Sequence, residues 1–116
     1  MKAIRGAITV DANTRAAITE GTQTLLRVIG ERNTLSAEEV VSIFFTLTPD
    51  LDAEFPARAA RASGWDVPML DMQEVPVPGS MPRCIRVLLH VQRSGQVRHA
   101  YLREARALRP DLETGS

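Results

Sequence analysis

From Ala3 to Val10 the apolar residues Ile4, Ala7, Ile8 and Val10 recur at short intervals, which predicts a first strand, with Gly6 marking a close backbone approach. Asp11, Asn13 and Thr14 then offer side-chain oxygens for a helix N-cap. Beyond them Ala17, Ile18, Gly21, Leu25, Val28 and Ile29 fall on one helical face, while Arg15, Thr19, Gln23 and Arg27 face away. Asn33 is the expected left-handed stop, so this segment is the one long helix. Ser36-Ala37-Glu38-Glu39 has the capping-box pattern of a short helical turn. Val40 to Leu47, rich in β-branched and aromatic residues, predicts a buried central strand ended by Thr48-Pro49-Asp50.

Asp52 to Ala62 reads as a short Ala-rich helix broken by Pro56 and closed by Ser63-Gly64, and Trp65 to Leu70 as a third strand. Three prolines and a glycine between Pro76 and Pro82 exclude regular structure there. Cys84 to Gln92 predicts a fourth strand, Arg93-Ser94-Gly95 a turn, and Glu104 to Leu108 a fifth strand. Five strands, one long helix and short helical turns make an α+β fold with a small mixed β-sheet. One helix covers only one face of such a sheet. The second face therefore needs other cover, and a further copy of the same chain is the simplest source.

The 116 residues suit a single domain spanning 1–116, with a mobile C-terminal tail expected from about residue 110. Fourteen basic side chains balance fourteen acidic ones, so no basic excess points to nucleic acid or a membrane surface. Thirteen of the basic residues are arginines, an excess that a GC-rich genome accounts for without any function. The longest apolar run, Val40 to Leu47, is too short for a bilayer span, no secretory signal is evident, and the expected location is cytoplasmic. The lone Cys84 cannot form an internal disulfide, which suits a reducing compartment.

Candidate chemistry begins on the fourth strand. Alternation sends Ile85, Val87, Leu89 and Val91 to one face and Cys84, Arg86, Leu88 and His90 to the other. A guanidinium between Cys84 and Leu88 stays charged, so it calls for an anionic partner, either an internal carboxylate or a ligand. Glu74, between a strand and the proline-rich loop, is a second candidate, and Arg5 beside Gly6 a third. His90, His99 and Cys84 have no metal-ligand spacing, no serine lies in a glycine-rich elbow, and no loop has the pattern of a phosphate cradle. No metal and no cofactor is expected.

Six blocks in register carry a resemblance. Ile4-Arg5-Gly6-Ala7-Ile8-Thr9-Val10, Phe55-Pro56-Ala57-Arg58-Ala59-Ala60-Arg61, Gln73-Glu74-Val75, Cys84-Ile85-Arg86-Val87, His99-Ala100-Tyr101-Leu102 and Leu108-Arg109-Pro110-Asp111-Leu112 together resemble chorismate mutases of the AroH (Bacillus) type. The resemblance implies a homotrimeric pseudo-α/β-barrel with active sites in clefts between subunits, and conversion of chorismate to prephenate on the way to phenylalanine and tyrosine. It implies that Arg86 lies beside the breaking ether oxygen, that Glu74 accepts from the ring hydroxyl, and that Arg5 grips a substrate carboxylate with help from Tyr101. It further implies a pocket wall of Phe55, Ala57, Met69, Leu70 and Leu108, and a basic rim of Arg58, Arg61 and Arg109. Backbone groups of Asp71, Met72 and Gln73 would support Glu74, with the Asp71 side chain turned away from the dianionic substrate. An imine deaminase of similar trimeric build and a non-catalytic metabolite sensor are the competing readings.

Overall fold

The computed structural model describes residues 1–112. Five strands form one mixed sheet in the order β3-β2-β4-β1-β5. They are β1 (Lys2–Thr9), β2 (Val40–Leu47), β3 (Met69–Gln73), β4 (Cys84–Val91) and β5 (Ala100–Leu102). β4 is the middle strand and pairs antiparallel with both β1 and β2, while β1–β5 and β2–β3 are parallel. β2 is thus an interior strand but not the central one. Its burial alternates: Ile43, Phe45 and Leu47 are buried, whereas Ser42, Phe44 and Thr46 are only half-buried.

The long helix α1 (Arg15–Asn33) starts at Thr14, whose hydroxyl accepts the Ala17 N–H at 3.0 Å. It lays Ile18, Leu25, Leu26 and Ile29 against Ile4, Ile8, Ile43, Phe45, Ile85, Val87, Leu89 and Val91 to form the main core. Helix and sheet approach closely where Gly21 and Gly6 lie. A Cβ on Gly21 would meet Val10 Cγ1 at 2.5 Å, and one on Gly6 would meet Ile29 Cδ1 at 2.8 Å. The left-handed residue at the helix end is Thr34 (φ 47°), not Asn33. Asn33 is instead buried and bonds outward, donating to the Arg98 carbonyl and accepting the Arg98 N–H. Gln23, expected to face away, donates to the Ala59 carbonyl of α2 (Pro56–Ala62).

Thr22 is the anomaly of this interface. It is fully buried, and its hydroxyl has no hydrogen-bond partner among the described residues. An unpaired buried hydroxyl costs roughly 1–3 kcal/mol, so Thr22→Val should stabilise the fold by about 1 kcal/mol. A thermal melt checks this, with an upward shift of about 4 °C expected.

Two strands differ in position from the sequence expectation. The third begins at Met69, and Trp65 and Val67 ahead of it pack against the core outside the sheet. The parallel ladder opens where the Pro68 carbonyl accepts the Ile43 N–H. The fifth is Ala100–Leu102, and the residues from Arg103 to Ala107 form a 3-10 turn instead. β1 ends at Thr9, whose hydroxyl takes the Glu104 N–H, so no partner strand exists beyond that point. Pro56 opens α2 rather than breaking it, as suits a residue with fixed φ and no N–H at the first helical position.

The second sheet face carries a small cluster of Ala7, Cys84, Tyr101 and Ala105, with Met81, Leu108 and Leu112 against it. The chain through Leu112 therefore turns back onto that face, while the end of the expected mobile tail, 113–116, lies outside the described residues. No helix among the described residues is long and apolar enough to cross a membrane.

Candidate active site

β4 delivers Arg86 to the second sheet face, as its alternation predicts. The register sets Ala7 of β1 on one side of it and Thr46 of β2 on the other. Glu74 follows directly on β3, and its N–H donates to the Leu47 carbonyl at 2.8 Å, continuing the ladder by one residue. That bond brings the Glu74 carboxylate over the same face. Arg86 Nε stands 3.0 Å from Glu74 Oε2, and the Thr46 hydroxyl donates to the same oxygen at 2.6 Å. The Arg86 Nε–H itself has no aligned acceptor among the described residues, so the pair is an ion pair and not a hydrogen bond. Glu74 is the internal carboxylate that a mid-strand guanidinium requires.

Arg5, Arg86, Tyr101 and Arg109 converge on one open depression of about 460 Å³, whose apolar wall comes from Phe44, Met72 and Leu88. Three guanidinium groups around one hollow are the chemistry that suits an anion, although Arg86 and Arg109 are here paired with Glu74 and Asp111. Arg5 is exposed on β1, and its backbone N–H donates to His99 Nδ1 at 2.9 Å. Tyr101 is buried in the second-face cluster beside Leu108. Arg109 makes a two-pronged contact with Asp111 at 3.1 and 2.8 Å, which holds the Asp111 carboxyl below the usual carboxylate range.

Phe55, Arg58, Asp71, Met72 and Gln73 border a second depression of about 370 Å³, next to Leu47, Leu51 and Glu54. Met72 stands between the two hollows and borders both. Arg58 lies over the Phe55 ring, 5.2 Å from its centroid. The Asp71 carboxylate accepts the Ala57 N–H at 3.0 Å, capping the first turn of α2, which Phe55 leaves without a side-chain cap. Burial pushes the Asp71 carboxyl above its ordinary value, opposed by this bond and by the charge of Arg61.

Some expected pocket residues sit elsewhere in the isolated chain. Ala57 and Met69 pack into the main core, while Leu70 is exposed on the second face and borders neither hollow. Thr46 and His99, which hold Glu74 and Arg5, were not anticipated as site residues. Thr46 becomes visible only once the β2–β4 register is known. Burial pushes the Cys84 thiol up to about 11, so it is an inert packing group. No cluster of three or more metal-ligating side chains occurs among the described residues.

The depressions lie on a fold with known counterparts. A solved chorismate mutase from Clostridium thermocellum superposes with a TM-score of 0.89 at 45% identity, covering 92% of this chain and 99% of that one. The chorismate mutase AroH of Thermus thermophilus is 50% identical over 98% of both chains. That of Bacillus subtilis (strain 168) is 45% identical over 97% of this chain and 92% of its own length. Residues 1–112 match the family model for chorismate mutase type I. With fold and sequence both matching over nearly its whole length, the chain belongs to the type I chorismate mutase family.

Proposed function

We propose that this single-domain chain is an isomerase that rearranges chorismate to prephenate, in a homotrimer whose active sites lie between neighbouring copies. The observation that carries the reading is the convergence of Arg5, Arg86, Tyr101 and Arg109 on one hollow, with Glu74 held beside Arg86. Family membership supplies the substrate.

The reaction breaks one C–O bond as one C–C bond forms, within a single molecule. It needs no nucleophile, proton relay or redox centre. A protein accelerates it by holding a flexible dianion in its reactive chair and by meeting the charge that develops on the ether oxygen. Arg86, rigidly mounted on the middle strand and bordering the hollow, presents its guanidinium to that oxygen. Glu74, anchored by Thr46, accepts from the ring hydroxyl. Arg5 grips a carboxylate, and Tyr101 assists it. Arg109, released from Asp111, closes the rim with Arg58 and Arg61. Phe55, Ala57, Met69, Leu70 and Leu108 wall the pocket, and the backbone of Asp71, Met72 and Gln73 supports Glu74. The Asp71 carboxylate, engaged by the Ala57 N–H, keeps its charge turned toward α2 and away from the anion.

Two features support assembly. α1 covers only one sheet face, and the other presents Leu70 at 58% and Met72 at 41% exposure. Of the expected site residues, Arg5, Arg86, Tyr101 and Arg109 border one hollow and Phe55, Arg58, Asp71 and Gln73 the other, as they would if each site drew its wall from two neighbours.

A continuous assay of chorismate loss tests the activity. Turnover should be nearly independent of pH between about 6.5 and 8.5, because no step moves a proton. A bell with both limbs near neutrality would overturn this mechanism, and absence of turnover would overturn the function.

A further inference from the structure

β1 gains β5 as a parallel partner only from Gly6 onward, where Gly6 faces Ala100. At Arg5 the strand has run past the end of β5, yet its backbone N–H is not left to solvent. The His99 imidazole takes it at 2.9 Å through Nδ1, one position before β5 begins. The ring thus replaces the missing rung and carries the support of β1 to the residue whose guanidinium borders the anion-binding hollow. His99 is itself clamped from α1. Arg32 donates to the His99 carbonyl at 3.0 Å, and Asn33 brackets Arg98 with two bonds of 2.8 and 2.7 Å.

We propose that His99 is a positioning residue, whose neutral imidazole fixes the backbone of Arg5 and thereby aims its guanidinium at the substrate carboxylate. This rests on Arg5 belonging to the site, as argued above. An acceptor Nδ1 requires the tautomer with its proton on Nε2, and the bond is lost when Nδ1 is protonated. Among the described residues, the charged groups facing His99 are Arg5 from β1, Arg109 from the segment after the Arg103–Ala107 turn, and Arg32 of α1 at its carbonyl, all cationic. Burial, together with the charges of Arg5 and Arg109, holds the imidazole below its ordinary value near 6.5. The unfolded chain therefore binds this proton more tightly than the folded one. The Arg5–His99 bond is fully present above about pH 6.5 and is lost as the pH falls through the lower folded value. Arg5 then loses its rung. The result is weaker substrate binding in acid, with unchanged behaviour at neutrality.

The test measures kcat and KM for chorismate from pH 5 to 8 in the wild-type chain, His99→Asn, His99→Leu and Arg5→Ala, with a melt at each pH to register unfolding. Asparagine keeps an acceptor at the Nδ1 position and does not titrate. In the wild type KM should rise as the pH falls below about 6.5, toward roughly fivefold once the bond is fully lost, the effect of one hydrogen bond. His99→Asn should match the wild type at pH 7.5 and lack that rise. His99→Leu should show the raised KM at every pH. An acid rise in KM that persists in His99→Asn, or a KM that falls in acid, overturns the proposal. So does a wild-type ¹⁵N imidazole spectrum at pH 7.5 showing the proton on Nδ1, a readout needing no variant. Arg5→Ala separates the two levels. If its KM equals the wild-type value, the assignment of Arg5 fails. If its KM rises and the His99 variants behave as the wild type, only the positioning role fails.

Discussion

Arg86→Ala is expected to keep its fold and to lose about 10²–10³ in kcat, equivalent to roughly 3–4 kcal/mol of transition-state stabilisation. The fold should survive because the guanidinium lies on the second sheet face, 43% exposed, and outside both core clusters. Glu74 also keeps its bond from Thr46 when Arg86 is gone. The loss should fall on kcat more than on KM, since charge on the ether oxygen develops only as the bond stretches. Arg86→Lys should recover only part of it. An ammonium keeps the charge but lacks the planar fork, and its flexible stem gives up the fixed direction that β4 imposes. Steady-state kinetics beside a circular dichroism melt decides the matter. A kcat within threefold of wild type in a folded Arg86→Ala would remove this residue from the mechanism.

The placement of Arg86 was legible because a strand has a period of two. Once Ile85, Val87, Leu89 and Val91 are assigned to the core, the intervening residues have nowhere else to face. The long helix was legible for a similar reason, its apolar stripe and Thr14 cap both being local signals. The strand before the proline-rich loop and the one nearest the chain end were harder. Trp65 and Val67 are as apolar as any strand, yet they fill a gap in the core and pair with nothing in the sheet. Glu104 to Leu108 alternates plausibly, but a parallel strand can extend only as far as its partner, and β1 stops at Thr9. Partner length is a tertiary quantity that local pattern does not contain. The same limit hid Thr46 and His99. Each acts on a residue 28 or 94 positions away in the chain, through a contact that only the sheet register creates. The division of the site residues between two hollows was hidden too, since a resemblance carries residue roles without saying which copy supplies them.

That division leads to the second large effect. If each active site joins the Arg5–Arg86 hollow of one copy to the Phe55–Arg58 hollow of the next, two inactive variants should restore each other. Arg86→Ala damages the first half-site, and the double variant Arg58→Ala/Arg61→Ala damages the second. Alone, each should retain no more than a few per cent of wild-type kcat/KM, given about 1.5–3 kcal/mol for each lost charged contact. In a cyclic oligomer assembled at random from equal amounts of both, a site is intact when one neighbour gives an undamaged first half and the other an undamaged second half. Each condition holds with probability one half, so about one quarter of the sites should be whole. Co-refolding the two chains from urea and assaying at low substrate should therefore raise activity at least several-fold above either parent. No such gain can arise if both hollows of a single chain serve one site, because every site would then carry a damaged half. A mixture no more active than the average of its parents, in oligomers shown by mass spectrometry to contain both chains, would place the whole site within one copy and refute the shared-cleft assembly.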